Sequence, residues 1–214
     1  MKLRTLILGS LMFCILWFLG WEAWAVYAAR EKTPEIFAPY RDPSKLSLTW
    51  NDLSAEQQNI LLSVEDPAYF THRGIDMRTP GAGTTTITQA IAKRLYFKKF
   101  TPGFARIEQS LIAMMVIDPA VDKATQLNTF LSVAYFGEGL IGFDAAARKF
   151  FGKSVPALDR PEYIRLVATL IGPDRTTPGT ADNEARAVRI ARLIRGECKP
   201  QNNRDVTYEA CENP

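Results

Sequence analysis

The stretch LILGSLMFCILWFLGW, Leu6 to Trp21, carries no charged residue, and after Glu22 the apolar character resumes in AWAVYAA. A bilayer core about 30 Å thick is crossed by about 20 apolar helical residues. Leu6 to Ala29 is therefore long enough to span it, provided that Glu22 lies near the outer interface. Trp17, Trp21, Trp24 and Tyr27 then form an aromatic belt, and Lys2 and Arg4 hold the N-terminus in the cytoplasm. The other reading is a cleaved signal peptide with AWA at its processing site; the run exceeds a signal's usual apolar length, which favours an uncleaved anchor. Either reading exports the rest of the chain.

That remainder suits one globular domain: the whole chain has 214 residues, 47% hydrophobic and 23% charged. A net charge of +3 does not call for nucleic acid as a partner. Local charge says more, because KRLYFKK gathers Lys93, Arg94, Lys98 and Lys99. Such a cluster outside a membrane meets lipid phosphates, or is simply a solvated helix face. Cys14 lies in the apolar run; Cys198 and Cys211 flank KPQNNRDVTYEA. An oxidising compartment allows these two to pair, and two free thiols in a frayed tail are the alternative. No spacing suggests a metal site. The expected organisation is an anchor over 1–30, a proline-rich linker over 31–44, a domain over 45–198 and a polar C-terminal tail over 199–214.

Helical periodicity dominates the domain. Ser54 with Gln57 three residues on is a capping-box pattern before NILLSVED, so Glu65 falls at a helix C-terminal end. The helix dipole disfavours a carboxylate there and burial raises its pKa, so both push Glu65 toward being a base near neutral pH. DMRTPGAGTT reads as a loop, after which Thr84 or Thr85 caps a helix carrying Ile87, Ile91 and Leu95. A third helix, FARIEQSLIAMMVI, is expected to bury Ile107, Leu111 and Met114. Further helices are expected in DKATQLNTFLSVAYF, GFDAAARKFFGK, RPEYIRLVATLIG and DNEARAVRIARLIRG, the last with Gly196 as its C-cap. No repeats and no alternating strands are evident. The fold class is all-α.

Four segments stand in a telling order: EDPAYFTHRGID, GTTTITQAIAK, RIEQ and SVAYFGEGLIGFDAAARKFFGK, followed by RPEYIRLVATLIGP. Together they resemble the peptidoglycan glycosyltransferases of glycosyltransferase family 51, of the membrane-anchored monofunctional kind. The resemblance implies a lysozyme-like helical fold with a membrane-dipping jaw, on the periplasmic side of a bacterial inner membrane and held by a single span. It implies polymerisation of lipid II onto a nascent glycan strand, with a separate transpeptidase as a partner. In that setting Glu65 is the catalytic general base. Asp66, Thr85, Thr86, Gln89, Lys93, Arg106 and Arg148 bind substrate, although Arg148 and Lys153 read equally well as surface charges. His72 reads as structural, tying its loop to a backbone carbonyl.

The pattern also breaks. The family's second glutamate falls on Gln109, with Glu108 one residue early and about 100° around the helix. In the family that carboxylate helps hold a divalent cation, Mg or Mn; an amide in its place puts the metal in question while keeping Gln109 a catalytic candidate. The connection from Asp76 to Thr85 is shorter than the family's by about a helix's worth. Ala90, Arg94 and Ser132 replace a glutamine and two asparagines. A divergent polymerase is the leading reading, with a non-catalytic binder of lipid II or glycan and a glycan-cleaving enzyme as alternatives.

Overall fold

The computed structural model describes residues 2–212, with side chains from residue 6 to residue 212. Helix α1, Lys2–Phe37, is long and apolar enough to cross a membrane, and its first half holds Leu6, Phe13, Trp17, Trp21 and Trp24 exposed. Its second half does something else. Ala25, Ala29, Thr33 and Phe37, four apart, are buried against the domain. Thr33 Oγ1 and the Tyr96 hydroxyl share a hydrogen bond of 2.6 Å, and Arg30 Nη2 donates to the Met115 carbonyl at 3.2 Å. The expected linker from residue 31 is thus corrected. The stripe of residues facing the domain carries α1 unbroken to Phe37, through Pro34. Only residues 38–53 are loop and short 3-10 turns.

Eight further helices follow among the described residues: α2 Ala55–Glu65, α3 Ile87–Tyr96, α4 Ala105–Ile112, the single turn α5 Asp118–Ala120, α6 Lys123–Val133, α7 Phe143–Phe151, α8 Arg160–Ala168 and α9 Ala181–Ile194. There are no strands among them, only one isolated bridge between Tyr135 and Ile141. Local chemistry sets most starts. Ser54 and Gln57 form the anticipated capping box on α2, and Asp159 and Glu162 form one on α8, with Pro161 in the first turn. The α3 cap is Thr86, not Thr84 or Thr85; its hydroxyl accepts from Gln89 N while Gln89 Oε1 accepts from Thr86 N.

Helix α6 is buried nearly all round, which suits a helix at the centre of a domain. Its polar side chains are satisfied inside: Thr88 Oγ1 donates to Gln126 Oε1, Gln126 Nε2 to the Val121 carbonyl, and Trp50 N to Asn128 Oδ1. Helix α8 fills the second half of the core with Tyr163, Ile164, Leu166, Val167 and Ala168, packed on α9, α2 and α7.

Helix α4 continues through a π turn, Ala113–Ile117, into α5. Gly74 packs on that turn at φ +81°, and a Cβ there would lie 2.5 Å from the Ala113 carbonyl oxygen. The expected burial of Ile107, Leu111 and Met114 is corrected. Ile107 and Met114 are exposed, and the buried face carries Gln109, Ile112, Ala113 and Val116 instead. At the start of α4, Phe104 meets Phe18 of α1 with their ring centres 5.4 Å apart.

The C-terminal tail is not frayed. Cys198 and Cys211 form a disulfide, which closes a short loop and stabilises by about 3 kcal/mol. Tyr208 and Cys211 are fully buried. Within the polar tail expected over 199–214, residues 199–212 pack onto the domain.

Candidate active site

Glu65 is the last residue of α2, at the mouth of a cleft of about 440 Å³. The cleft is bounded by the 81–86 loop, the outer face of α3, Leu170–Pro173 and α9. Glu65 is half-buried, and it is the sole carboxylate among the residues lining the cleft. Burial pushes its carboxyl up to about 7; the Arg186 guanidinium pulls against this and the neighbouring Asp66 charge adds to it.

The other charged groups lining the cleft are cationic: Lys93 and Arg94 from α3, and Arg186 from α9. Lys93 lies 5.1 Å from the Phe100 ring centre and Arg94 4.9 Å from that of Tyr135, contacts that hold long side chains over apolar faces. Arg186 is only 4% exposed. It donates to the Val206 carbonyl and lies 5.2 Å from the centre of the Tyr208 ring. A desolvated carboxylate poised to ionise at neutral pH can take a proton from an alcohol, and cations lining the same cleft can neutralise a polyanionic leaving group.

The expected site residues divide. Glu65, Thr85, Thr86 and Lys93 line the cleft. Asp66 does not. It is fully buried, His72 Nε2 approaches its two oxygens at 2.8 and 3.0 Å, and Ile87 N donates to one of them at 2.9 Å. Asp66 thus ties α2 to the start of α3, and His72 is held by a carboxylate rather than by a carbonyl. Thr86 faces the cleft, yet its hydroxyl donates to the Gly74 carbonyl while capping α3. Gln89 spends its side chain on that cap and on Ser110 Oγ. Arg106 is exposed on α4 and lies outside the cleft. Arg148 is also outside, ion-paired with Asp144 at 2.9 Å, and Lys153 pairs with Glu162.

Gln109 is the largest correction. It is 4% exposed, it does not line the cleft, and its Nε2 donates to the Gln89 main-chain carbonyl at 2.8 Å. It joins α4 to α3. Glu108 turns away as expected, into a groove with Trp17, Trp21 and Glu22 of α1. Among the described residues no group of three or more His, Cys, Asp or Glu side chains could hold a metal ion. With Glu65 alone in the cleft, this donor set does not fit a resident divalent cation. Replacing Gln109 by glutamate is expected to destabilise the domain by about 2 kcal/mol, because the new carboxylate would face a carbonyl with no donor to offer. Denaturant unfolding in detergent measures this; an unchanged midpoint would show that the amide holds nothing.

Arg186 is the residue that sequence reading missed. Its signal was present: Asn183, Arg186, Ala187 and Ile190 form the buried stripe of α9, and a cation within such a stripe is costly unless it is used.

A helical domain whose cleft sets one raised carboxylate among cations, docked on an apolar helix, has the groups that acid–base group transfer needs. The chain belongs to the transglycosylase family, which matches residues 32–196. It is 28% identical over 167 residues to a biosynthetic peptidoglycan transglycosylase of Nitrosomonas eutropha, covering 71% of this chain and 67% of that one. A protein of the same description from Shewanella amazonensis is 31% identical over 157 residues, covering 67% of this chain and 64% of that one. Penicillin-binding protein 1A of Streptococcus oralis is 25% identical over 186 residues, 80% of this chain and 29% of its own length. The chain thus spans two thirds or less of these relatives.

Proposed function

We propose that the chain is a membrane-anchored peptidoglycan glycosyltransferase that polymerises lipid II, a disaccharide-peptide on undecaprenyl pyrophosphate. The observation that carries this is Glu65, a carboxylate raised to about 7 that shares one cleft with Lys93, Arg94 and Arg186. Glu65 accepts the proton of the acceptor's sugar 4-hydroxyl. The freed oxygen attacks the anomeric carbon of the growing strand from the face opposite its pyrophosphate. The carbon–oxygen bond to pyrophosphate breaks, the leaving group takes the electron pair, and the configuration inverts. The three cations neutralise the departing pyrophosphate.

The anchor would put this chemistry beside the bilayer that carries the substrate, and Lys2 and Arg4 would keep the N-terminus cytoplasmic. The Cys198–Cys211 disulfide supports an oxidising, extracytoplasmic location for the domain. Crosslinking of the product would fall to a transpeptidase partner, a pairing in line with the penicillin-binding protein among the relatives.

Incubation with fluorescent lipid II in detergent should yield polymer resolved by gel. A wild-type chain that binds lipid II without turning it over would replace this proposal with a binding role. The rate should depend on pH as a base requires: level above neutrality, then falling about tenfold per unit as the pH drops below about 7, where Glu65 becomes protonated. Initial rates from about pH 5 to about pH 9 test this, and a limb near pH 4.5 instead would mean that Glu65 is not desolvated during turnover.

A further inference from the structure

The family match ends at residue 196, yet the segment beyond it builds part of the cleft. Residues 77–86 have no regular structure of their own. Their backbone is held from outside: Gly81 N donates to the Asn202 carbonyl at 2.9 Å, Gly83 N to the Asn203 carbonyl at 2.6 Å, and Asn203 Nδ2 to the Met77 carbonyl at 3.0 Å. Both glycines have positive φ, and a Cβ on Gly81 would lie 2.7 Å from Pro200 Cγ, while one on Gly83 would lie 2.8 Å from Val206 Cγ1. The two strips of chain approach as closely as glycine permits.

The same segment grips the catalytic groups. The Tyr208 hydroxyl donates to the Val64 carbonyl at 2.8 Å, one residue before Glu65. Val206 lines the cleft, its Cγ1 lies against Gly83, and its carbonyl accepts from Arg186. Arg192 donates to the Cys211 carbonyl at 2.8 Å, and Asp205 accepts from Gln201 N and Glu209 N within the segment. The disulfide closes this structure at its base.

We propose that the disulfide-clasped segment Lys199–Glu212 is a positioning element of the active site, which fixes Arg186 opposite Glu65 and holds the 81–83 backbone as a wall that keeps water from them. The proposal rests on the catalytic reading of Glu65. The charged and titratable groups around Glu65 are Asp66 on α2, Lys93 and Arg94 on α3, Arg186 on α9 with Arg189 behind it, and the Tyr208 phenol of the segment itself. With the segment loosened, water reaches Glu65, and the loss of burial, the largest influence on its carboxyl, outweighs the weakened hold on Arg186, so the carboxyl falls.

Two variants test this in the full chain in detergent: the Cys198→Ser, Cys211→Ser double variant, and Val206→Ala, which trims the wall and leaves the clasp intact. The carboxyl carbon of Glu65 is followed by NMR in protein labelled at glutamate, with Glu65→Gln assigning the signal. Glu65 is expected to titrate near 7 in the wild type and at least about one pH unit lower in both variants, with polymerisation reduced about tenfold or more in the double variant. If the double variant does not fold, Val206→Ala decides by its titration. Titration and rates that match the wild type in the folded variants would overturn the proposal. A titration that moves while even the wild type makes no polymer would support the positioning role and sink the catalytic reading alone.

Discussion

Replacing Glu65 by glutamine is expected to lower lipid II polymerisation by about 10³-fold or more, and at the same time to make the domain more stable above neutral pH. The kinetic part follows from the missing base: a sugar hydroxyl is a poor nucleophile, and the amide cannot accept its proton. The stability part follows from linkage. Glu65 titrates near 7 when folded against an ordinary 4.5, so the folded state binds the proton more tightly than the unfolded chain does. Its contribution is fully present below 4.5 and is lost as the pH rises through about 7. At about pH 8 the wild type therefore carries an ionised group where its surroundings disfavour charge, at a cost on the order of 3 kcal/mol. Glutamine removes that cost. Denaturant unfolding in detergent should show the variant as the more stable protein at about pH 8, with the gap closing below 4.5. An active variant, or a gap that does not depend on pH, would contradict the assignment of Glu65 as a desolvated base.

The second large effect is expected at Arg186. Arg186→Met keeps much of the side chain's volume against Tyr208 but removes its charge. Polymerisation should fall on the order of 100-fold, because a cation fixed beside the leaving group is lost. The acid limb of the rate profile should also move, and upward: without the guanidinium, nothing offsets burial at Glu65, and its carboxyl should titrate about one pH unit higher. The direction separates the two perturbations of this site. Loosening the C-terminal segment lets water in and lowers the limb, whereas removing Arg186 takes away charge and raises it. A limb that stays in place in Arg186→Met would mean that the guanidinium does not sense the base.

Local signals made much of this legible before any coordinates. The Ser54–Gln57 box and the apolar run behind it end α2 at Glu65, as their spacing predicts, and burial then supplies the shift that the helix end suggested. The α3 cap was ambiguous because three consecutive threonines are each competent, and only the Gly74 carbonyl, twelve residues upstream, selects Thr86. The face of α4 was misjudged because an apolar stripe at helical spacing need not be the face that meets the core, and here Ile107 and Met114 lie exposed while Gln109 is buried. Asp66, Gln89 and Gln109 have polar side chains that fit a substrate site on paper, yet each is consumed by a long-range hydrogen bond. Motif spacing cannot show such bonds. The 199–212 segment was hidden for the same reason: its importance comes from contacts with residues about a hundred positions or more away, such as Gly81 and Val64, whereas Arg186 was signalled by the buried stripe of α9 and overlooked.

The unbroken run of α1 from its apolar half to Phe37 has a mechanical consequence. A helix pinned to its domain by Arg30 and Thr33 is a strut rather than a tether. On the membrane-anchored reading proposed above, such a strut would fix both the height of the cleft over the bilayer and the direction in which the cleft faces. One residue inserted between Trp24 and Arg30 would lift the domain by about 1.5 Å and swing it by about 100° about the strut, which, for the proposed lipid-borne substrate, would turn the opening away from its source.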